Sequence, residues 1–176
     1  MHPIERTDLI KFLQAGELEF IEAINAVDTA AARIRPGPQH WSILDVAEHV
    51  VLVERALLAG LASAQPRPEP LLNPRRERAI REFGAVRTRR VEAPAFAHPA
   101  ARFSTLEEAS AEFLEARAAA LHWLTAFDGD LHSLSNHHPI LGEINGYEAV
   151  LLLAVHPARH AAQIREIRAA LDAASS

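Results

Sequence analysis

Two histidines, His156 and His160, lie four residues apart within residues 145–171, a stretch that we predict to be one long helix. The apolar or small residues that recur there at helical spacing are Tyr147, Val150, Leu151, Ala154, Ala158, Ala161, Ile164, Ile167 and Leu171. Residues four apart share one helix face, about 40° apart around the axis, so both imidazoles can reach one metal ion. A pair of surface histidines would have the same spacing. A third ligand elsewhere in the chain therefore decides between a metal site and an incidental pair.

The natural third ligand is His49, in the second predicted helix. Ser42 precedes that helix as an N-cap, and Asp45 follows three residues later as a short-armed capping-box partner. Trp41 can pack against Val46 as a hydrophobic staple. His49 lies beside the apolar stripe of this helix, so we expect it at the edge of the bundle interior, where the fourth helix can reach it.

Three neutral imidazoles on one metal ion leave a coordination position open for water or substrate, as in catalytic rather than structural sites. A metal bound in this way acidifies its water, polarises a carbonyl or holds a thiolate. Imidazole accepts Zn, Ni, Co and Fe, so the ligands do not identify the metal. The alternative is that His49 is a buried-edge histidine bonded to a carbonyl or to a carboxylate such as Glu48. The residues alone leave both interpretations open.

The composition restricts the class of protein. The chain has 176 residues, 49% of them apolar, which predicts one soluble domain over residues 1–176 with a substantial core. A net charge of −5 argues against a nucleic-acid partner, and the absence of cysteine excludes disulfides and thiolate ligands. The first residues lack the pattern of a signal peptide. The apolar run that comes nearest to a membrane helix, AVLLLAV, is too short to span a membrane. We expect a cytoplasmic protein without a membrane partner.

Four amphipathic segments predict an all-α fold, a four-helix bundle with a long crossover connection between helices 2 and 3. The predicted helices are residues 5–34, ended by the PGP sequence at 36–38; residues 43 to about 63; residues 104 or 105 to 127; and residues 145–171. Residues 131–146 are predicted to form a polar loop, and no segment has a convincing strand pattern. We expect helices 1 and 2, and helices 3 and 4, to form hairpins.

The crossover, residues 64–103, is rich in proline and arginine, and only residues 75–83 could form a short helix there. Seven arginines crowd its middle: Arg75, Arg76, Arg78, Arg81, Arg87, Arg89 and Arg90. A connection of this length is typically a crossover, a lid or a partly disordered segment. We interpret the arginines as a solvated surface, with an anion-binding rim over a pocket as the alternative.

Three motifs resemble those of the DinB/YfiT-like superfamily. The run WSILDVAEH at residues 41–49 is similar to its WSxxExxxH signature, HPILG at residues 138–142 to its HPxxG segment, and HPARHAAQI at residues 156–164 to its HxxxHxxQI segment. In layout the resemblance extends over essentially the whole chain. Asp45 departs from the glutamate that the family often has, a change that preserves the capping role.

This resemblance implies a four-helix bundle with one divalent metal ion bound by His49, His156 and His160. Zn or Ni is expected ahead of Fe. Relatives include transferases and isomerases that use a low-molecular-weight thiol. Homodimers are common among them, so a homodimer is expected here. The expected function is therefore a mononuclear metal-dependent transferase or hydrolase that acts on a small-molecule substrate with a thiol or activated water. The alternative is a non-catalytic metal- or ligand-binding bundle that acts as a stress or sensor protein.

Several residues near the ligands have expected supporting roles. Gln163 shares the face of His156 and His160 and could bond a ligand imidazole or metal-bound water, or else lie on the surface. Pro157 removes a backbone N–H inside the helix, which leaves the Leu153 carbonyl without its helical donor and typically kinks the helix. The kink is either a tolerated bend or the feature that sets the angle between the two imidazoles. The HPxxG resemblance suggests that His138 mainly structures its loop.

Overall fold

The computed structural model describes residues 3–88 and 91–174. The α-helices are α1 (Pro3–Asn25), α2 (Ile43–Ser63), α3 (Pro74–Phe83), α4 (Leu106–Ala126) and α5 (Gly146–Ala174), and the strands are β1 (Gln65–Pro66), β2 (Leu134–His138) and β3 (Gly142–Asn145). The four long helices form the predicted four-helix bundle, and α3 is a short fifth helix in the connection between α2 and α4.

The order of the helices around the bundle differs from the predicted hairpins. Helix α1 packs against α5 and α4, and α2 packs against α4 and α5. In the described part of the chain, neither α1 with α2 nor α4 with α5 forms an extensive contact, so each of these two pairs lies diagonally across the bundle, whereas α2 and α4 pack side by side. The hairpin prediction was wrong because the connections 26–42 and 127–145 are long enough to cross the end of the bundle.

Helix α1 ends at Asn25, nine residues before the predicted end at residue 34. The side chain of Asp28 accepts a hydrogen bond from the Ala30 amide at 2.8 Å, and residues 31–33 form a separate 3-10 helix. Aspartate competes with the helix in this way by bonding the backbone two residues on. The apolar residues beyond Asn25 continue the helical spacing without continuing the helix.

Residues 131–146 are not a simple polar loop. They contain a 3-10 turn at Leu131–Ser133 and the strands β2 and β3, which form an antiparallel sheet of order β1-β2-β3. Ser135 pairs with both Gln65 and Asn145. The strands are short and mostly polar, so they lack the alternating apolar pattern by which a sequence shows a strand.

The helix starts follow the sequence closely. Ser42 and Asp45 form the predicted capping box of α2, and Thr105 caps α4. At the start of α5, the Asn145 side chain accepts from the Glu148 amide at 2.7 Å, and the Glu148 carboxylate accepts from the Asn145 amide at 2.9 Å. The helices that carry the candidate ligands, α2 and α5, therefore both begin with a reciprocal cap.

The crossover contains the expected short helix, α3, but its arginines are only partly a solvated surface. Arg75 and Arg78 are exposed. Arg76 forms an ion pair with the fully buried Glu148 of α5, at 2.5 Å, and also donates to the Glu143 carbonyl. Arg89 and Arg90 lie outside the described residues.

A buried ion pair joins all four long helices near the middle of the bundle. Arg117 of α4 pairs with Glu54 of α2, with Nε 2.7 Å and Nη2 2.9 Å from the carboxylate oxygens, and both side chains are about 1% exposed. Its guanidinium also donates to the Leu13 carbonyl of α1 and to the Leu153 carbonyl of α5, each at 2.7 Å. The Leu153 carbonyl is the one that Pro157 leaves without a helical donor, so Arg117 supplies the missing hydrogen bond.

Apolar clusters fill the two ends of the bundle on either side of this ion pair. Residues 3–88 and 91–174 contain no helix with the length and apolarity needed to cross a bilayer.

Candidate metal centre

The structure brings the three predicted histidines together where α2 packs against α5. Nε2 of His156 lies 3.2 Å from Nε2 of His49 and 3.1 Å from Nε2 of His160. One ligand atom from each residue lies within 4.8 Å of the other two. His49 and His160 are buried, and His156 keeps part of its surface exposed. Among the described residues, this is the one group of three or more histidine, aspartate or glutamate side chains that meets this criterion.

The separations fit three ligands of one metal ion. Nitrogens about 2.05 Å from a tetrahedral zinc ion lie about 3.3 Å from each other, close to the two distances seen here. Three neutral imidazoles are also a donor set that divalent transition metals accept. The residues present therefore fit a mononuclear centre with three protein ligands.

Backbone and side-chain partners orient two of the three rings. Nδ1 of His49 donates to the Ala97 carbonyl at 2.8 Å. Of the two partners that the sequence left open for His49, a carbonyl or a carboxylate, the structure shows the carbonyl. Nδ1 of His160 donates to Oε1 of Gln163 at 2.8 Å, so the predicted contact of Gln163 with a candidate ligand is present. Metal-binding histidines generally donate from the second ring nitrogen in this way, which leaves the other nitrogen free for the metal.

The packing around the rings also disfavours their protonation. Burial lowers the pKa of His49, and it holds the pKa values of His156 and His160 well below the ordinary histidine value. The neighbouring histidines add to this shift, because each imidazolium would repel the next. The rings are therefore held in the neutral form that can bind a metal ion.

We expect the metal-free protein to lose stability as the pH falls below about 6.5, the pKa of an unfolded histidine. Below that value the unfolded chain binds protons that the folded chain, with its lowered histidine pKa values, does not yet bind. The free energy of unfolding then falls by up to about 1.4 kcal/mol per pH unit for each histidine. Urea denaturation of chelator-treated protein, between about pH 5 and pH 8, measures this slope.

The control for this prediction is the double variant His156→Gln, His160→Gln. It removes two of the four described histidines whose pKa is lowered, so its stability should depend less steeply on pH. The same slope in the variant and the natural protein would contradict the assignment of the effect to these histidines.

Neighbouring residues that the sequence singled out have structural contacts. Glu48 is buried and points away from the histidines, since its carboxylate accepts from the Ala100 and Arg102 amides and pairs with the Arg102 guanidinium. Nδ1 of His138 accepts from the Ile140 and Leu141 amides, each at 3.2 Å, which agrees with a loop-structuring role.

Trp41 packs against the candidate centre as well as the core. Its ring centroid lies 5.0 Å from that of His49 and 6.1 Å from that of His98. It is also partly buried against the apolar cluster that contains Val46, as a staple residue would be. Arg159 is half-buried and donates to the Val86 carbonyl of the connection after α3.

Sequence reasoning missed the contribution of the connection between α3 and α4. The Ala97 carbonyl holds His49, and Arg87 donates to Gln163 at 3.0 Å. A backbone acceptor has no signature in a side-chain pattern. Arg87 is one of seven arginines between residues 75 and 90 and lies beyond the predicted short helix, so the sequence offered no means of separating it from the rest.

The sequence model of the DinB superfamily matches residues 13–164 of this chain. The chain belongs to the DinB superfamily. The match includes all three histidines and Gln163. The expectation from the motifs at residues 41–49, 138–142 and 156–164 is therefore confirmed at the level of the family.

Two solved structures are similar to this chain in fold, and both are described as four-helix bundles. The four-helix bundle protein TT2238 is 23% identical, with a TM-score of 0.59 over 92% of this chain and 98% of its own. YfiT from Bacillus subtilis, described as a probable metal-dependent hydrolase with an unusual four-helix bundle topology, is 14% identical, with a TM-score of 0.60 over 95% of this chain and 87% of its own. At these identities the likeness shows the fold. No curated protein matches the sequence.

Proposed function

We propose that this DinB-family chain is a mononuclear metal-dependent enzyme, a hydrolase or transferase that activates water or a low-molecular-weight thiol. The observation that carries the proposal is the convergence of three Nε2 atoms from His49, His156 and His160. A divalent ion, Zn²⁺ or Ni²⁺ ahead of Fe²⁺, would supply Lewis-acid chemistry and favour hydroxide or thiolate at neutral pH. The description of YfiT as a probable metal-dependent hydrolase supports the hydrolytic form of the proposal.

The residues around the centre have separable tasks. His49 and His160 are fixed by hydrogen bonds through Nδ1 and are buried, so they provide the rigid part of the centre. His156 retains some exposure, which makes its side of the centre the approach for a small substrate. Burial lowers the pKa of all three rings, so their nitrogen lone pairs stay available to lower pH than those of an exposed histidine.

Metal analysis of protein purified without added metal tests this proposal first, and we expect about one divalent ion per chain. His49→Ala, His156→Ala and His160→Ala should each weaken Zn²⁺ binding by at least about 100-fold. A direct ligand should cost no less than the outer contacts, whose loss typically costs about 10- to 100-fold. Competition with a chromophoric chelator measures these affinities.

His122→Ala is the matched control, because His122 is an exposed histidine of α4 outside the candidate centre. It should bind Zn²⁺ as the natural protein does. The proposal fails if the natural protein binds no metal, or if the three candidate-ligand variants bind it as tightly as His122→Ala does.

A non-catalytic metal or ligand sensor is the second candidate, and one observation favours it. In the described part of the chain no carboxylate joins the histidine group, and the adjacent Glu48 is committed to Arg102. The centre therefore lacks an evident general base. A screen of metal-loaded protein with thiols and electrophilic or hydrolysable substrates separates the two functions. Turnover that is lost with the histidines supports the enzyme, and ligand binding without turnover supports the sensor.

A further inference from the structure

The two buried histidines of the centre are both held from the connection between α3 and α4. The Ala97 carbonyl binds His49 directly, and Arg87 binds Gln163, which in turn binds His160. These contacts join one segment of the chain to ligands on two different helices. The donor and the acceptor in each contact determine which ring nitrogen carries the proton and which keeps a free lone pair.

At His49 a backbone carbonyl fixes which ring nitrogen is protonated. A carbonyl oxygen can only accept, so the nitrogen 2.8 Å from it must carry the proton. That nitrogen is Nδ1. In a neutral imidazole the other nitrogen, Nε2, then has a free lone pair, and Nε2 is the atom that points to His156.

At His160 two successive hydrogen bonds fix which nitrogen is protonated, and Arg87 donates the first of them. A guanidinium only donates, so the atom of Gln163 that lies 3.0 Å from Nη1 of Arg87 must be the amide oxygen. The same oxygen lies 2.8 Å from Nδ1 of His160, so Nδ1 must carry the proton. Nε2 of His160 is again left with its lone pair directed at His156.

Arg87 is itself held in place by α5. Its Nε lies 3.1 Å from both carboxylate oxygens of Glu166, and its Nη2 also lies 3.1 Å from one of them. This bidentate contact orients the planar guanidinium, so that Nη1 faces Gln163. Without Arg87, the Gln163 amide could rotate by 180° and offer its NH₂ group to His160, which would favour the opposite tautomer.

We propose that Arg87 is a positioning residue for the candidate centre: by orienting the Gln163 amide it selects the Nδ1–H tautomer of His160 and so presents Nε2 to the metal ion. Its role in metal binding rests on the proposed function. The connection between α3 and α4 thereby prepares ligands on both α2 and α5, through the Ala97 carbonyl for His49 and through Arg87 for His160.

The first test is made on chelator-treated protein and does not involve activity. The ¹⁵N chemical shifts of the imidazole nitrogens show which nitrogen of His160 is protonated. We expect Nδ1–H in the natural protein, and a mixture of tautomers in Arg87→Met and in Gln163→Leu. Gln163→Glu keeps an acceptor in the same place, so it should restore the Nδ1–H form. Protonation of Nε2 in the natural protein would overturn the proposal.

The second test is Zn²⁺ affinity measured by chelator competition. Arg87→Met and Gln163→Leu should bind Zn²⁺ about 10- to 100-fold more weakly, the usual effect of losing a hydrogen-bond partner of a ligand, and Gln163→Glu should bind close to normally. Arg67→Met is the matched control, since Arg67 lies in the connection between α2 and α3 and pairs with Glu143 at 2.6 Å, and neither residue belongs to the candidate centre. It should leave the affinity unchanged.

The outcomes separate this inference from the proposed function. If the natural protein binds Zn²⁺ and Arg87→Met binds it equally well, the role of Arg87 is refuted while the metal centre stands. If the natural protein binds no Zn²⁺, the proposed function fails and the role of Arg87 in metal binding fails with it.

Discussion

Replacing Arg117 with methionine is expected to destabilise the fold by about 3–5 kcal/mol, the usual cost of breaking a buried ion pair by removing one partner. Arg117 is fully buried and touches all four long helices. Its loss leaves the Glu54 carboxylate buried without a counter-ion and the Leu153 carbonyl without its donor. Urea denaturation near pH 7 measures the change in the free energy of unfolding.

This loss should depend on pH in a defined direction. Burial already raises the pKa of Glu54, and Arg117 opposes that shift. Without Arg117 the native pKa of Glu54 rises further above the unfolded value of about 4.3, so folding then requires protonation. The penalty should therefore increase as the pH rises above about 4.3 and shrink towards acid pH. A penalty independent of pH would contradict this account.

The double variant Glu54→Leu, Arg117→Met provides the control. It removes both charges and fills the space with apolar atoms, a replacement that is often neutral for a buried pair. We expect it to recover most of the stability and to retain a loss of about 1 kcal/mol, because Pro157 still offers no N–H to the Leu153 carbonyl. A double variant as unstable as Arg117→Met would show that the charges are not the cause.

The second large effect is expected at Gly16, where α1 crosses α5. A Cβ atom added there would lie 2.1 Å from the Ala154 carbonyl oxygen. Because that oxygen belongs to the backbone of a helix, it cannot rotate away, and α1 would have to move outward from α5. We expect Gly16→Ala to cost about 3 kcal/mol, the upper end of overpacking effects, although alanine itself favours a helix by about 1 kcal/mol. Thermal or urea unfolding measures the cost.

Gly60 of α2 is the matched control for this change. A Cβ added there would lie 2.0 Å from Nδ2 of Asn136, which is the far end of a side chain that can turn aside. Gly60→Ala should therefore be much less harmful than Gly16→Ala, and the helix preference of alanine offsets part of its cost. Equal losses at the two positions would refute the close approach of the α1 and α5 backbones as the cause.

The sequence predicted the parts of this molecule that depend on local chemistry. The capping box at Ser42 and Asp45 showed where α2 begins, and the spacing of His156 and His160 placed two imidazoles on one face of α5. Both features depend on residues three or four apart. Apolar periodicity was equally informative for helix type, but it extended the first helix past Asn25, where the Asp28 side chain starts a turn.

What the sequence could not predict depends on contacts between distant residues. The diagonal placement of α1 with α2 and of α4 with α5 follows from how long connections cross the bundle ends, and apolar stripes fit either arrangement. The tautomers of His49 and His160 depend on a carbonyl at residue 97 and on the orientation of Arg87. The partner of the carbonyl that Pro157 frees is likewise a side chain on another helix, at Arg117.

The packing of α2 against α5 determines when the centre forms during folding. His49 and His156 are neighbours in space but 107 residues apart in the chain. Each long helix can begin to form from local interactions, yet the three imidazoles meet only after α2 has docked on α5, a contact that closes most of the chain into a loop. High-affinity binding of a metal ion would therefore occur only in a nearly complete bundle. A chain with only its local structure formed brings together two histidines and not three.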